Sequence, residues 1–86
     1  MRQEPDFFGE QELSLIYIAK KLKDALALED MFTKAGVDYL VEPDKYSGGV
    51  IFRSERVGAF FYVAPPDEDA TCSLMLAHGY KPWDPD

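Results

Sequence analysis

The chain has one cysteine, one histidine and one tryptophan, and the first two scarcities exclude chemistry outright. A lone Cys72 cannot build an intramolecular disulfide framework. Cys72 and His78 together leave a zinc site two ligands short. They are six residues apart, about 240° around a helix axis, so they cannot form a nucleophilic pair on one helix face. Long apolar runs are missing too. The longest, residues 15–19 and 59–64, fall far below the roughly 20 residues that span a bilayer. No basic start followed by an apolar run and a small-residue cleavage site is present, so the expected compartment is the cytoplasm. Cations are scarce: 9 Lys and Arg stand against 16 Asp and Glu, a net charge of −7. Duplex nucleic acid and anionic membranes repel such a surface, which leaves a protein partner or a small ligand. No glycine-rich phosphate loop occurs, and no metal or cofactor is expected.

Against these absences stand 47% hydrophobic residues, including 6 Phe and 5 Tyr, too many large apolar groups for a disordered chain. Eighty-six residues make a single domain. Residues 1–12, polar apart from Phe7 and Phe8, are expected to form a flexible leader. Residues 13–79 form the α+β domain, and 80–86 a tail laid across its surface with Trp83 packed down.

Residues 13–19 predict a strand apolar on both faces, centred on Ile16, Tyr17 and Ile18. Residues 20–23 predict a turn, with Asp24 as the helix N-cap. Ala25, Leu28, Phe32 and Ala35 recur at helical spacing, widened by Leu26, Ala27 and Met31, until Gly36 stops the helix. Val37, Tyr39 and Val41 alternate with Asp38, Leu40 and Glu42 as a half-buried strand that Pro43 ends. Residues 44–49 read as a loop, 50–54 as a third strand, and 59–63 as a fourth with Phe60, Phe61 and Tyr62. Residues 50–54 and 59–63 are alternatively one bent hairpin arm. Pro65 and Pro66 introduce a second helix opened by Asp67, Glu68 and Asp69. Ala70, Leu74 and Ala77 are expected toward the sheet, with Gly79 as the stop. The order β-α-β-β-(β)-α predicts a ferredoxin-like sandwich, an antiparallel sheet with two helices on one face.

The short apolar strand Leu15-Ile16-Tyr17-Ile18, the helix ending in Ala35-Gly36-Val37, and the aromatic strand Phe61-Tyr62-Val63 running into Pro66 and Asp67-Glu68-Asp69-Ala70 together resemble a family. It is the family of small prokaryotic signal-transducing domains, related in fold to the PII nitrogen regulators. The resemblance covers residues 13–78. It implies a regulatory or binding role and carries no catalytic residues.

Two surfaces follow from the residues themselves. Lys20, Lys21 and Lys23 stand before a helix start, where ammonium groups and free amides attract phosphate or carboxylate. Arg53 and Arg56 are candidate bidentate donors to the same anion. A plain solvated turn is the competing reading. The second surface is the sheet's rear. Two helices cover one face only, while neighbouring strand residues alternate, so Leu15, Tyr17, Leu40, Ile51 and Phe61 are expected on a face that something else must cover. A second copy of the chain, in a homodimer, is the expected cover, with docking of Phe7, Phe8 and Trp83 as the alternative. With no nucleophile or acid–base pair to name, the expected function is a non-enzymatic regulatory or interaction domain. The alternative is a metabolite or anion sensor built on the lysine turn.

Overall fold

The computed structural model describes residues 1–48 and 54–83, with side chains left aside at 46–48 and 54–56. In chain order it contains β1 (Ser14–Ala19), α1 (Leu22–Ala35), β2 (Leu40–Gly48), β3 (Ser54–Val63) and α2 (Glu68–Ala77), with short 3-10 turns at Pro5–Phe8 and Pro65–Asp67. The three strands form one antiparallel sheet in the order β1-β3-β2. β1 and β2 therefore run the same way on either side of β3, and α1 joins them. This is a split β-α-β unit, followed by α2.

The stretch expected as two strands at 50–54 and 59–63 is, over its described part, the single strand β3, longer than the second of those two. Residues 50–53, with Ile51 and Arg53, lie outside the described residues. Among the described residues the sheet has three strands. β2 also begins later than expected and runs through Pro43, which pairs with Ala59. Proline survives there because β2 is an edge strand, whose outward amides need no partner.

Alternation along the central strand sorts the side chains. Phe61 lies opposite Tyr17 and Val41, while Phe60 lies opposite Ile18 and Glu42. The face bearing Phe61 and Val63 packs with Leu28 and Phe32 of α1 and Met75 of α2 in one buried cluster. Phe32, Tyr39 and Phe61 form its aromatic centre, with ring centroids 5.4, 6.0 and 5.9 Å apart. The Tyr39 hydroxyl donates to the Glu29 carbonyl at 3.4 Å and lies 3.5 Å from the Thr33 hydroxyl, so its burial leaves no polar atom stranded.

β1 departs from simple alternation. Its register with β3 slips between Leu15 and Tyr17, a bulge that gives Ile16 no opposite number. Ile16 enters the core, and Tyr17 packs against that same core. The expected face assignment is corrected accordingly. Phe61 and Tyr17 belong to the helix-covered side, and Leu15, Ile18, Leu40, Phe60 and Tyr62 to the rear. Leu40 at 7% and Phe60 at 9% exposure are already buried within a single chain, and Leu15, Ile18 and Tyr62 are half-buried.

The helix ends differ unequally from expectation. Lys21, not Asp24, is the N-cap of α1, and no side chain caps it; Asp24 sits in the first turn. The stop is as read. Gly36 adopts φ 75°, with Val37 N–H on the Phe32 carbonyl and Gly36 N–H on the Thr33 carbonyl, a Schellman closure that needs a left-handed residue. In α2 the buried pair is Thr71 and Met75, with Cys72 and Leu74 packed beside them; Ala70 and Ala77 are exposed. The expected face was thus rotated by one residue. Thr71 is accommodated because its hydroxyl donates to the Asp67 carbonyl at 2.7 Å.

Residues 1–3 and 80–83 close on the sheet's two edges. Residues 1–3, read as part of a flexible leader, pair with Tyr39. Gln3 N–H donates to the Tyr39 carbonyl at 2.8 Å, and Tyr39 N–H donates to the Met1 carbonyl at 3.1 Å. The Met1 ammonium also donates to the Val37 carbonyl. Residues 4–13 then carry the chain from the edge of β2 to the start of β1 at the opposite edge. At the far edge, Trp83 N–H donates to the Ile16 carbonyl at 2.7 Å.

Because Phe61 is fully buried against two other rings, Phe61→Ala should cost about 3–5 kcal/mol. A lower urea midpoint at unchanged denaturant slope is the expected measurement.

Candidate functional site

β1 ends at Ala19, the chain turns through Lys20 and Lys21, and α1 begins at Leu22. Beyond α2, Gly79 (φ 84°) reverses the chain, and the tail returns to the open edge of β1. Two contacts hold it there, the Trp83 amide on Ile16 and an edge-to-face pair of Tyr80 and Tyr17 with centroids 5.9 Å apart. The turn and the tail flank an open cleft of about 510 Å³ lined by Tyr17, Ile18, Lys20, Lys21, Asp24, Lys81 and Trp83. That size is within the ordinary range for a small-molecule site.

Of the expected anion-binding residues, Lys20 and Lys21 line this cleft. Lys23 is exposed in the first turn of α1 and is not part of the wall. Arg56 belongs to β3, opposite Tyr46 and three residues before the Ala59 that faces Ala19. Its backbone is therefore beyond the end of β1, at the end of the sheet from which the lysine turn emerges; its side chain and all of Arg53 are outside the described residues. Lys81, Trp83 and Tyr17 join the site without having been singled out for it. The sequence signal was slight: a tail whose Pro82 and Trp83 suit packing rather than solvation.

Burial first, then the Asp24 carboxylate and Tyr80, raise the Tyr17 hydroxyl above its ordinary pKa. Tyr17 therefore stays a neutral phenol at physiological pH and is available as a hydrogen-bond donor. The walls carry three ammonium groups and one carboxylate beside two aromatic rings and Ile18. That set can hold and orient an anion. It contains no nucleophile paired with a base.

A second cleft, of about 610 Å³, separates α1 from α2, with Met31, Leu74, Tyr80 and His78 on its walls. The Lys34–Asp30 ion pair, 2.9 Å long, involves residues of its α1 wall. His78 lines this groove, while Cys72 packs against the core, so the two are not joined in a catalytic pair. Glu68 accepts a hydrogen bond from the Ser14 hydroxyl at 3.2 Å, tying the acidic helix start to β1. Among the described residues, no three His, Cys, Asp or Glu side chains gather as a metal site. Among them, too, no helix is long and apolar enough to cross a membrane. No protein-family model, curated protein or solved structure matches the chain.

Burial, followed by the Glu68 and Asp69 carboxylates, raises the Cys72 thiol above its ordinary pKa. The unfolded chain gives up this proton first, so the group's share of stability is intact below the ordinary thiol range and falls as pH rises through it. Alkylation of Cys72 by iodoacetamide at mildly alkaline pH should be slower in the folded protein than in urea-unfolded chain, with its half-maximal rate at higher pH.

Proposed function

We propose that this chain is a non-enzymatic regulatory or interaction domain, ferredoxin-like in plan, that works by capturing a small anion in the cleft between the lysine turn and the tail. One observation carries the reading. On a chain of net charge −7, Lys20 and Lys21 from one segment and Lys81 from another line a single concave site. A cleft whose lining is predominantly cationic, with Asp24 the one carboxylate among its described residues, focuses its field on a small anion while the surrounding acidic surface repels large ones. The split β-α-β unit closed by α2 supports the ferredoxin-like plan, and with it the likeness to the signal-transducing domains related to PII regulators. In that plan the strand beside β1 would follow α2, and residues 80–83 take its place.

Titration with inorganic phosphate, followed by amide resonances, tests the reading. Shifts should concentrate at residues 20–24 and 80–83. Lys21→Glu combined with Lys81→Glu should weaken binding about tenfold or more, a loss of about 1.4 kcal/mol or greater. Shifts spread evenly over the surface, or unchanged in the double variant, would exclude the cleft.

Self-association through the sheet is the second reading, favoured by the half-buried Leu15, Ile18 and Tyr62 on the rear face. Its support is reduced by Leu40 and Phe60, which a single chain already shields. Light scattering at high micromolar concentration should give a dimer's mass if the rear strip is an interface, and a monomer's mass removes it.

A further inference from the structure

We infer that the outer edge of β1 pairs with the same edge of a second copy of the chain, antiparallel, in one continuous sheet; the inference does not rest on anion capture or on the rear face. The two border strands are guarded unequally. β2 carries Glu42, Pro43, Asp44 and Lys45, the charges and proline that keep an edge from adding strands. β1, Ser14–Ala19, has neither a charge nor a proline. Apart from its ladder with β3, the one backbone hydrogen bond that β1 makes among the described residues is from the Trp83 amide to the Ile16 carbonyl. Releasing residues 80–83 costs that bond and the Tyr80–Tyr17 ring contact. A second strand offers a ladder of hydrogen bonds in exchange.

Register and charge both point to a second copy as the occupant. An antiparallel copy centred on the middle of β1, between Ile16 and Tyr17, sets Leu15 opposite the second copy's Ile18, Ile16 opposite its Tyr17 and Ser14 opposite its Ala19. In a regular strand that centring pairs residues from opposite faces, which a continuous sheet forbids. The bulge between Leu15 and Tyr17 inverts the parity and removes the conflict. Leu15 and Ile18 both belong to the rear, and Ile16 and Tyr17 both pack with the core. Ser14 and Ala19 lie beside Val63 and Ala59 on that same inner side. Continued past the strand's ends, the register brings Glu12 opposite Lys21, twice by symmetry. Lys21 has extended backbone (φ −127°, ψ 141°), and both side chains are exposed. Neither forms an ion pair among the described residues. Opposite charges at facing positions stabilise a strand pair.

Light scattering up to high micromolar concentration should show the mass rising to a dimer's. The emission of Trp83, the chain's one tryptophan, should shift over the same range as its segment leaves β1. Glu12→Lys and Lys21→Glu, both at exposed positions, should each weaken the dimer about tenfold, because two facing pairs turn repulsive at once. The two substitutions together should restore it, with circular dichroism checking that every variant is folded. A chain that stays monomeric overturns the inference. So does a dimer that leaves Trp83 emission unmoved, responds to neither charge reversal, or is not recovered in the double variant; a pair joined through the rear faces would behave in that way.

Discussion

Phe61 sits near the C-terminal end of the central strand and meets Phe32 from α1 and Tyr39 from the entry to β2. That contact decides which way β3 faces, and in a sheet one strand's facing decides its neighbours'. With Phe61 and Val63 inward, Phe60 and Tyr62 must point to the rear, along with the Leu40 and Ile18 that lie opposite them. Both helices then have one face to cover, and Leu28, Phe32 and Met75 are completely buried in covering it. β1 resolves its own surplus of apolar side chains by a bulge rather than by strict alternation, placing Ile16 in the core while Tyr17 packs against it.

The bulge has a further effect at the edge. β1 is a border strand, and the outward carbonyl of Ile16 takes up the Trp83 amide. A strand in that place would bury β1's edge fully; a short tail does so at one point and leaves side chains free to project into the space beside the lysine turn. The cleft is thus a consequence of how the sheet ends. Lys81 and Trp83 reach it only because Gly79 turns the chain back after α2, and Lys20 and Lys21 reach it because β1 stops at Ala19. The opposite border, along β2, is met at Tyr39 by residues 1–3, so each edge strand has part of its length occupied by a terminus.

Local rules read well from the residues where they act alone. The Gly36 and Gly79 stops and the Leu28–Phe32 spacing were legible because a left-handed cap and a helical stripe are set within a few residues. Pro43 misled because its effect depends on whether the strand is central or at an edge, which only the finished sheet determines. The face of α2 misled for a related reason: Thr71 reads as polar, but its hydroxyl is satisfied by the Asp67 carbonyl and its methyl group is free to pack. Tyr17 was grouped with Leu15 because strict alternation puts them on one face, whereas the extra residue at Ile16 inverts parity along β1, and no composition marks a bulge. The lysine turn was visible as a charge cluster. The cleft beside it was not, since Lys81 is sixty residues from Lys21 in sequence and is brought there by a tail held on β1 through the Trp83 amide and the Tyr80–Tyr17 ring pair.

The overall acidity of the chain and the basic character of the cleft are complementary rather than contradictory. At physiological ionic strength a charge is felt over about 8 Å, which is less than the molecule's smallest extent of 24 Å. On the proposed reading, a small anion in the cleft would respond chiefly to the charged groups that line it, and distant carboxylates would be screened from it. A polymer of phosphates cannot escape them, because whatever part enters the cleft, the rest must run over an acidic surface. On that reading size and charge would be selected together. The same cleft on a neutral or basic domain would attract nucleic acid as readily as a metabolite, so on the proposed reading the −7 background would itself be part of how the site discriminates.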